Sequence, residues 1–153
     1  MFNILETVFL SKEFHQTLLS PICEKYNITY SEMLVLLYVS SHPTNNTATD
    51  VVNNRRLTKS AVSMAVHSLK DKGLIQGDFE GGNHRTVHLK LCEKANEIIL
   101  EGAEIQNKYI SVMIKGFSAD ELNEIDSYFR RIALNIKEFE KKNKCKSDSV
   151  RRK

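Results

Sequence analysis

The stretch TATDVVNNRRLTKSAVSMAVHSLKDKGLIQGDFEGG, from Thr47 to Gly82, decides the fold. From Thr47 to about Asn54 it reads as a short helix with Val51 and Val52 turned inward. Thr58 then stands where an N-cap is needed, with Lys59-Ser60-Ala61 in the first turn of a second helix. Ala61, Val62, Ala65, Val66 and Leu69 give that helix its apolar stripe. Lys70 and Lys72 favour its C-terminal end, and Gly73 is placed to follow it as the C′ residue. Leu74 to Phe79 and Arg85 to Leu91 read as paired strands around Glu80-Gly81-Gly82-Asn83. In the second strand Val87, Leu89 and Leu91 alternate with Thr86, His88 and Lys90, the two-residue period of a half-buried strand. Helix, turn, helix and hairpin in succession form a winged helix-turn-helix in sequence. Its second helix can enter a DNA major groove, and its hairpin can reach the neighbouring minor groove.

Outward from this unit the chain is helical. Ile4, Leu5, Val8, Phe9, Leu18, Leu19 and Ile22 recur at helical spacing from Phe2 to about Lys25, with Pro21 predicting a kink or break near Ser20. A second helix opens at Thr29 or Tyr30, carries Met33, Leu34, Leu36, Leu37 and Val39, and ends before Pro43. Beyond Cys92, Ile98 to Ile114 predicts a long helix ending near Lys115-Gly116. The capping box Ser118-Ala119-Asp120-Glu121 opens a last helix, striped by Leu122, Ile125, Tyr128, Phe129, Ile132, Ala133, Ile136 and Phe139. The predicted fold class is α+β, mainly helical: a winged helix over about 30–92, flanked by long helices over about 2–25 and 93–140. These make one domain across residues 1–140, followed by a basic tail, 141–153, read as disordered. Long apolar stripes exceed what one short chain can cover, so the terminal helices are expected to interlock in a homodimer. Two copies would then present two recognition helices to successive major grooves.

Composition sets the outer bounds. A chain of 153 residues, 41% hydrophobic and 27% charged, fits one globular domain. No apolar run approaches the roughly 18 residues of a membrane span, and the N-terminus lacks the basic start of an export signal. Three scattered cysteines suit a reduced, cytoplasmic protein. The net charge of +3 is unevenly spread: −3 over residues 1–54, +4 over 55–94, −3 over 95–136 and +5 over 137–153. Positive charge thus falls on the helix-turn-helix and the tail, as phosphate contact requires.

The run from Thr47 through Ile75, with Gly81-Gly82-Asn83-His84-Arg85 and Val87-His88-Leu89-Lys90-Leu91, resembles the MarR family of bacterial transcriptional regulators without a gap. With the flanking helices, the resemblance covers nearly the whole chain apart from the tail. It implies a homodimeric winged-helix repressor or activator that binds double-stranded DNA and answers to a small molecule or an oxidant. It also implies dimer contacts between terminal helices, and ligand pockets between these and the DNA-binding lobe. Three positions depart from the family pattern. Asn83 replaces the aspartate that orients the wing arginine, here Arg85; an amide cannot supply a charge-assisted pair. Arg55-Arg56 stands where a Leu-Gly pair is common, which gives Arg56 to phosphate contact. Met64 stands where many members carry arginine, which replaces a guanine contact by an apolar one to thymine or by packing.

The DNA-contacting residues expected are therefore Thr58, Lys59, Ser60 and Ser63 at the entering end of the recognition helix, with Met64 and His67 further along it. Thr47 and Thr49 would meet backbone phosphate at the start of the preceding helix, Arg56 in the turn, and Asn83, His84 and Arg85 on the wing. His84, His88 and Cys92 recur every four residues, but on a strand that is about 13 Å, too far to share one ion, so no metal and no cofactor is expected. No nucleophile elbow, phosphate-cradling loop or paired acid predicts an enzyme. The competing readings are a winged helix used as a protein-interaction module and an oxidant sensor working through the thiol of Cys23.

Overall fold

The computed structural model describes residues 3–55, 57–79 and 86–150, with the side chains of Phe79 and of 142–150 left aside. The expectations placed on Arg56, Asn83, His84 and Arg85 lie outside the described residues. The chain divides into two compact units, Met1–Ser111 and Val112–Lys153.

In the first unit α1 spans Ile4–Lys25, α2 Tyr30–Ser41, α3 Ala48–Arg55 and α4 Lys59–Asp71. Strands β1 (Ile75–Phe79) and β2 (Val87–Leu91) follow, then a single 3-10 turn and α5, Asn96–Met113. Side-chain caps set most of the helix starts. Asn3 accepts from the Glu6 amide at 3.1 Å, Thr29 from Glu32 at 3.2 Å, and Thr58 from Ala61 at 3.1 Å. Thr29 and Glu32 close a reciprocal capping box. Thr47 and Asp50 do the same for α3: the Asp50 carboxylate accepts from the Thr47 amide at 3.0 Å and its hydroxyl at 2.6 Å. The Gly73 amide donates to Lys70 at 2.9 Å and the Leu74 amide to Leu69 at 2.9 Å, closing α4. That closure needs the left-handed φ of +68° at Gly73, which glycine alone adopts without strain.

α2 is the central post. Every residue from Glu32 to Val39 is buried, as its all-round apolar character requires. Leu19, Val51, Val62, Leu69, Leu89 and Ile98, from five other elements, pack into the same core. α5 closes on α2 where Gly102 leaves room: a Cβ there would meet the Met33 sulfur at 3.0 Å and Leu37 at 3.2 Å. The strands pair antiparallel from Ile75 opposite Leu91 to Phe79 opposite Val87. Thr47 bridges to His88 on the outer side of β2, where the Leu89 amide donates to Asn46 at 3.0 Å.

Three readings change. α1 continues through Pro21 with no break; the orphaned carbonyl, one turn back at exposed Thr17, can face water. His88, read as one of the outward polar residues of a half-buried strand, instead has an internal partner, holding Asn46 Oδ1 at 2.6 Å through Nδ1. In the second unit, α6 spans Ala119–Val150 and so runs through most of the stretch read as a disordered tail. No glycine or proline interrupts it, and its Lys, Glu and Arg content favours helix. α6 opens on the expected box, the Ser118 amide donating to Glu121 at 2.7 Å.

Candidate nucleic-acid interface

α4 separates its two faces cleanly. Val62, Ala65 and Leu69 are buried, whereas Lys59, Ser60, Ser63, Met64, His67 and Lys70 are exposed. Positions 59, 63, 67 and 70 fall on one stripe at helical spacing. That stripe borders a cleft against α3 of ≈ 490 Å³, whose other wall carries Thr49 and Asn53. Lys59, Ser63 and His67 from α4 and Thr49 from α3 are thus brought together. Asn53 was missed by sequence reasoning, although its four-residue spacing from Thr49 was the available signal.

The remaining residues divide. Met64 is 74% exposed and borders a separate groove shared with Thr29, Ser31 and Ser68. Thr58 and Ser60 share a hydroxyl contact at 3.1 Å beside the cap. The Thr47 hydroxyl is engaged by Asp50, as a box needs, so the Asp50 charge stands next to the group expected to meet phosphate. His67 lies 3.4 Å from Asp71, one turn on.

A second polar feature lies behind the helix-turn-helix. The Nε atom of Arg55 is buried with no hydrogen-bond partner among the described residues, and its guanidinium lies 5.7 Å from the Tyr38 ring centroid. Burial disfavours its charge, and among the described residues Tyr30 and Tyr38 act in the opposite direction. Arg55 borders a hollow of ≈ 380 Å³ together with Lys12, His15, Tyr30, Gln106 and Tyr109. There His15 Nδ1 meets the Tyr30 hydroxyl at 2.8 Å, and burial, then Arg55, hold the imidazole below its usual value. Burial, then Glu32, push the half-buried Cys23 thiol up, away from the thiolate that oxidation requires.

Among the described residues no His, Cys, Asp or Glu group assembles that could hold a metal ion, and no helix is long and apolar enough to cross a membrane.

Helices α3 and α4 with the paired strands behind them define a winged helix-turn-helix protein, and solved structures share the whole arrangement. A putative MarR family transcriptional regulator from Listeria monocytogenes, complexed with 26mer DNA, superposes with a TM-score of 0.77 at 18% identity, covering 89% of this chain and 90% of that one. MepR of S. aureus, solved as a DNA complex, gives 0.71 at 17% identity over 85% and 93%. The fold is that of MarR family transcriptional regulators. In sequence, the transcriptional regulator AdcR of Streptococcus pyogenes is 25% identical over 130 residues, 82% of this chain and 87% of AdcR. Residues 17–102 match the model of the SarA/Rot transcriptional regulators, and the chain belongs to that family.

Proposed function

We propose that this chain regulates transcription by binding a pseudo-palindromic DNA operator as a homodimer in the cytoplasm, with a small molecule adjusting its grip. In this reading it is a single MarR-like domain. Its winged helix, about 30–92, reads DNA, and its terminal helices pair with those of a second copy. The observation that carries the reading is the exposed stripe of Lys59, Ser63, His67 and Lys70 facing Thr49 and Asn53 across one cleft. Ammonium, hydroxyl, amide and imidazole groups together can grip phosphate and read base edges. Met64, Ser60, Thr58, Thr47, Arg56, Asn83, His84 and Arg85 are assigned to DNA contact from sequence.

The test is selection of bound duplexes from a random library, followed by fluorescence-anisotropy titration over a range of salt. Lys59→Ala is expected to reduce the slope of log affinity against log salt by about one. Arg85→Ala is expected to weaken operator binding by about 1–3 kcal/mol. Absence of any sequence preference at moderate salt would leave the interaction-module reading standing instead.

The hollow beside Arg55 supports the ligand arm. A half-buried guanidinium with no carboxylate partner among the described residues, next to Lys12 and two tyrosines, suits a small anion with an aromatic ring. The direction of the Cys23 shift favours such a ligand over a thiol-based signal.

A further inference from the structure

Glu32 is 2% exposed, yet its carboxylate is engaged both from its own helix start and from the end of α4. Its carboxylate accepts from the Thr29 amide at 2.5 Å and from Lys72 Nζ at 3.0 and 3.1 Å. Lys72 also donates to the Asn27 carbonyl at 2.8 Å, in the α1–α2 turn. Lys72 is the C-cap residue of α4, so the C-terminal end of the recognition helix is fastened to the start of α2. Neighbouring Leu69 and Leu74 are buried there as well, but apolar contact is non-directional and tolerates sliding.

We propose that Glu32 is a positioning residue for DNA reading: by holding Lys72 it fixes the pose in which α4 meets the bases. This inference rests on the DNA-binding reading above. The physical reason is leverage. α4 has 13 residues, roughly 20 Å of helix at about 1.5 Å each. A rotation of about 5° at the clamp would move the far end, at Lys59 and Ser60, by almost 2 Å. Hydrogen bonds to base edges do not survive that displacement, whereas a flexible lysine can still follow a phosphate. Removing the clamp should therefore cost sequence discrimination while sparing general DNA affinity. A buried ion pair is weak evidence for stability, since apolar replacements are often as stable; holding a defined geometry is the better explanation for one.

The experiment compares wild type, Glu32→Gln, Lys72→Met and Lys72→Arg. Each is titrated with the selected operator and with a random-sequence duplex of equal length at one salt concentration. Gln at position 32 can still close the capping box, so the helix start is retained. Glu32→Gln and Lys72→Met change net charge in opposite directions. A loss of discrimination common to both therefore cannot arise from charge.

Both are expected to lower the operator-to-random ratio by about tenfold or more, the scale of one lost base contact, with the random duplex bound as before apart from the small charge effect. Lys72→Arg should restore the ratio, and the Glu32→Gln/Lys72→Met double variant should be no worse than either single one. Lys72→Met removes the pair from its more exposed side, and it carries the test if Glu32→Gln reduces the folded fraction. An unchanged ratio overturns the proposal, as do affinities for both duplexes falling by one common factor, the mark of lost folded protein. A wild-type protein with no preferred duplex is a different result: it overturns the DNA-binding reading, and this inference with it.

Discussion

Arg55 shows what the surroundings of one side chain add to its sequence. In the sequence it is half of an Arg55-Arg56 pair that stands where a Leu-Gly pair is common. In the fold its Nε is buried without a hydrogen-bond partner among the described residues, near tyrosines. An unsatisfied buried donor costs on the order of 1–3 kcal/mol. Arg55→Met should therefore stabilise the ligand-free protein by about 1 kcal/mol in urea unfolding. The same substitution should abolish stabilisation by an aromatic anion. With benzoate as the probe, present at about 100 times its Kd, wild type should gain about 2.7 kcal/mol and the variant nothing. Equal gains in both proteins would place the anion elsewhere.

At the scale of elements, the helix caps tie stability to pH. The Thr47 hydroxyl and then the Thr47 amide hold the Asp50 carboxyl below its usual value, with His88 and His42 adding to this. For Glu32 burial pushes upward, but Ser68, Thr29 and Lys72 together outweigh it and the carboxyl also ends low. A group lowered in the folded state binds fewer protons there than in the unfolded chain, so stability rises with pH across its titration. The contribution is complete above the ordinary values of 4.5 for Glu32 and 3.8 for Asp50, and is lost as pH falls through the lowered ones. Stability from urea unfolding is thus expected to be level, for these two groups, from neutral pH to about 5 and to decline on further acidification. Asp50→Asn should make that acid decline shallower; an unchanged decline would remove the α3 cap from its cause. Both boxes were legible as a threonine with an acid three residues on, the same pattern that identified Ser118-Glu121.

For the molecule as a whole, exposed apolar surface is the leading fact. Leu5, Val8, Phe9 and Leu10 on α1 are each more than half exposed. On α6, Tyr128, Phe129, Ile132, Leu134, Ile136 and Phe139 are exposed too, which is far from the scattered single residues of an ordinary surface. A homodimer that covers them should sediment at the mass of two chains. Phe129→Asp with Ile132→Asp should bring that to one chain and weaken binding to a two-half-site duplex more than to a single half-site. A two-chain mass retained by this variant would move the interface away from that face of α6.

The sequence by itself determined the order of the elements and most of their ends, the far end of α6 excepted. Apolar period, threonine caps, the Gly73 stop and the alternation in Val87 to Leu91 are all local, each acting within a few residues. It also determined which side of α4 faces outward, because Val62, Ala65 and Leu69 leave Lys59, Ser63 and His67 on the other side. Tertiary structure alone decided the pairings across long separations: Glu32 with Lys72 over 40 residues, His88 with Asn46 over 42, and the inward turn of Arg55. The sequence offered Lys72 only as a favourable charge at a helix end and His88 only as the polar side of a strand. Periodicity tells a residue which way to face, but a polar partner depends on which distant element arrives there, and that is settled only when the core closes around α2.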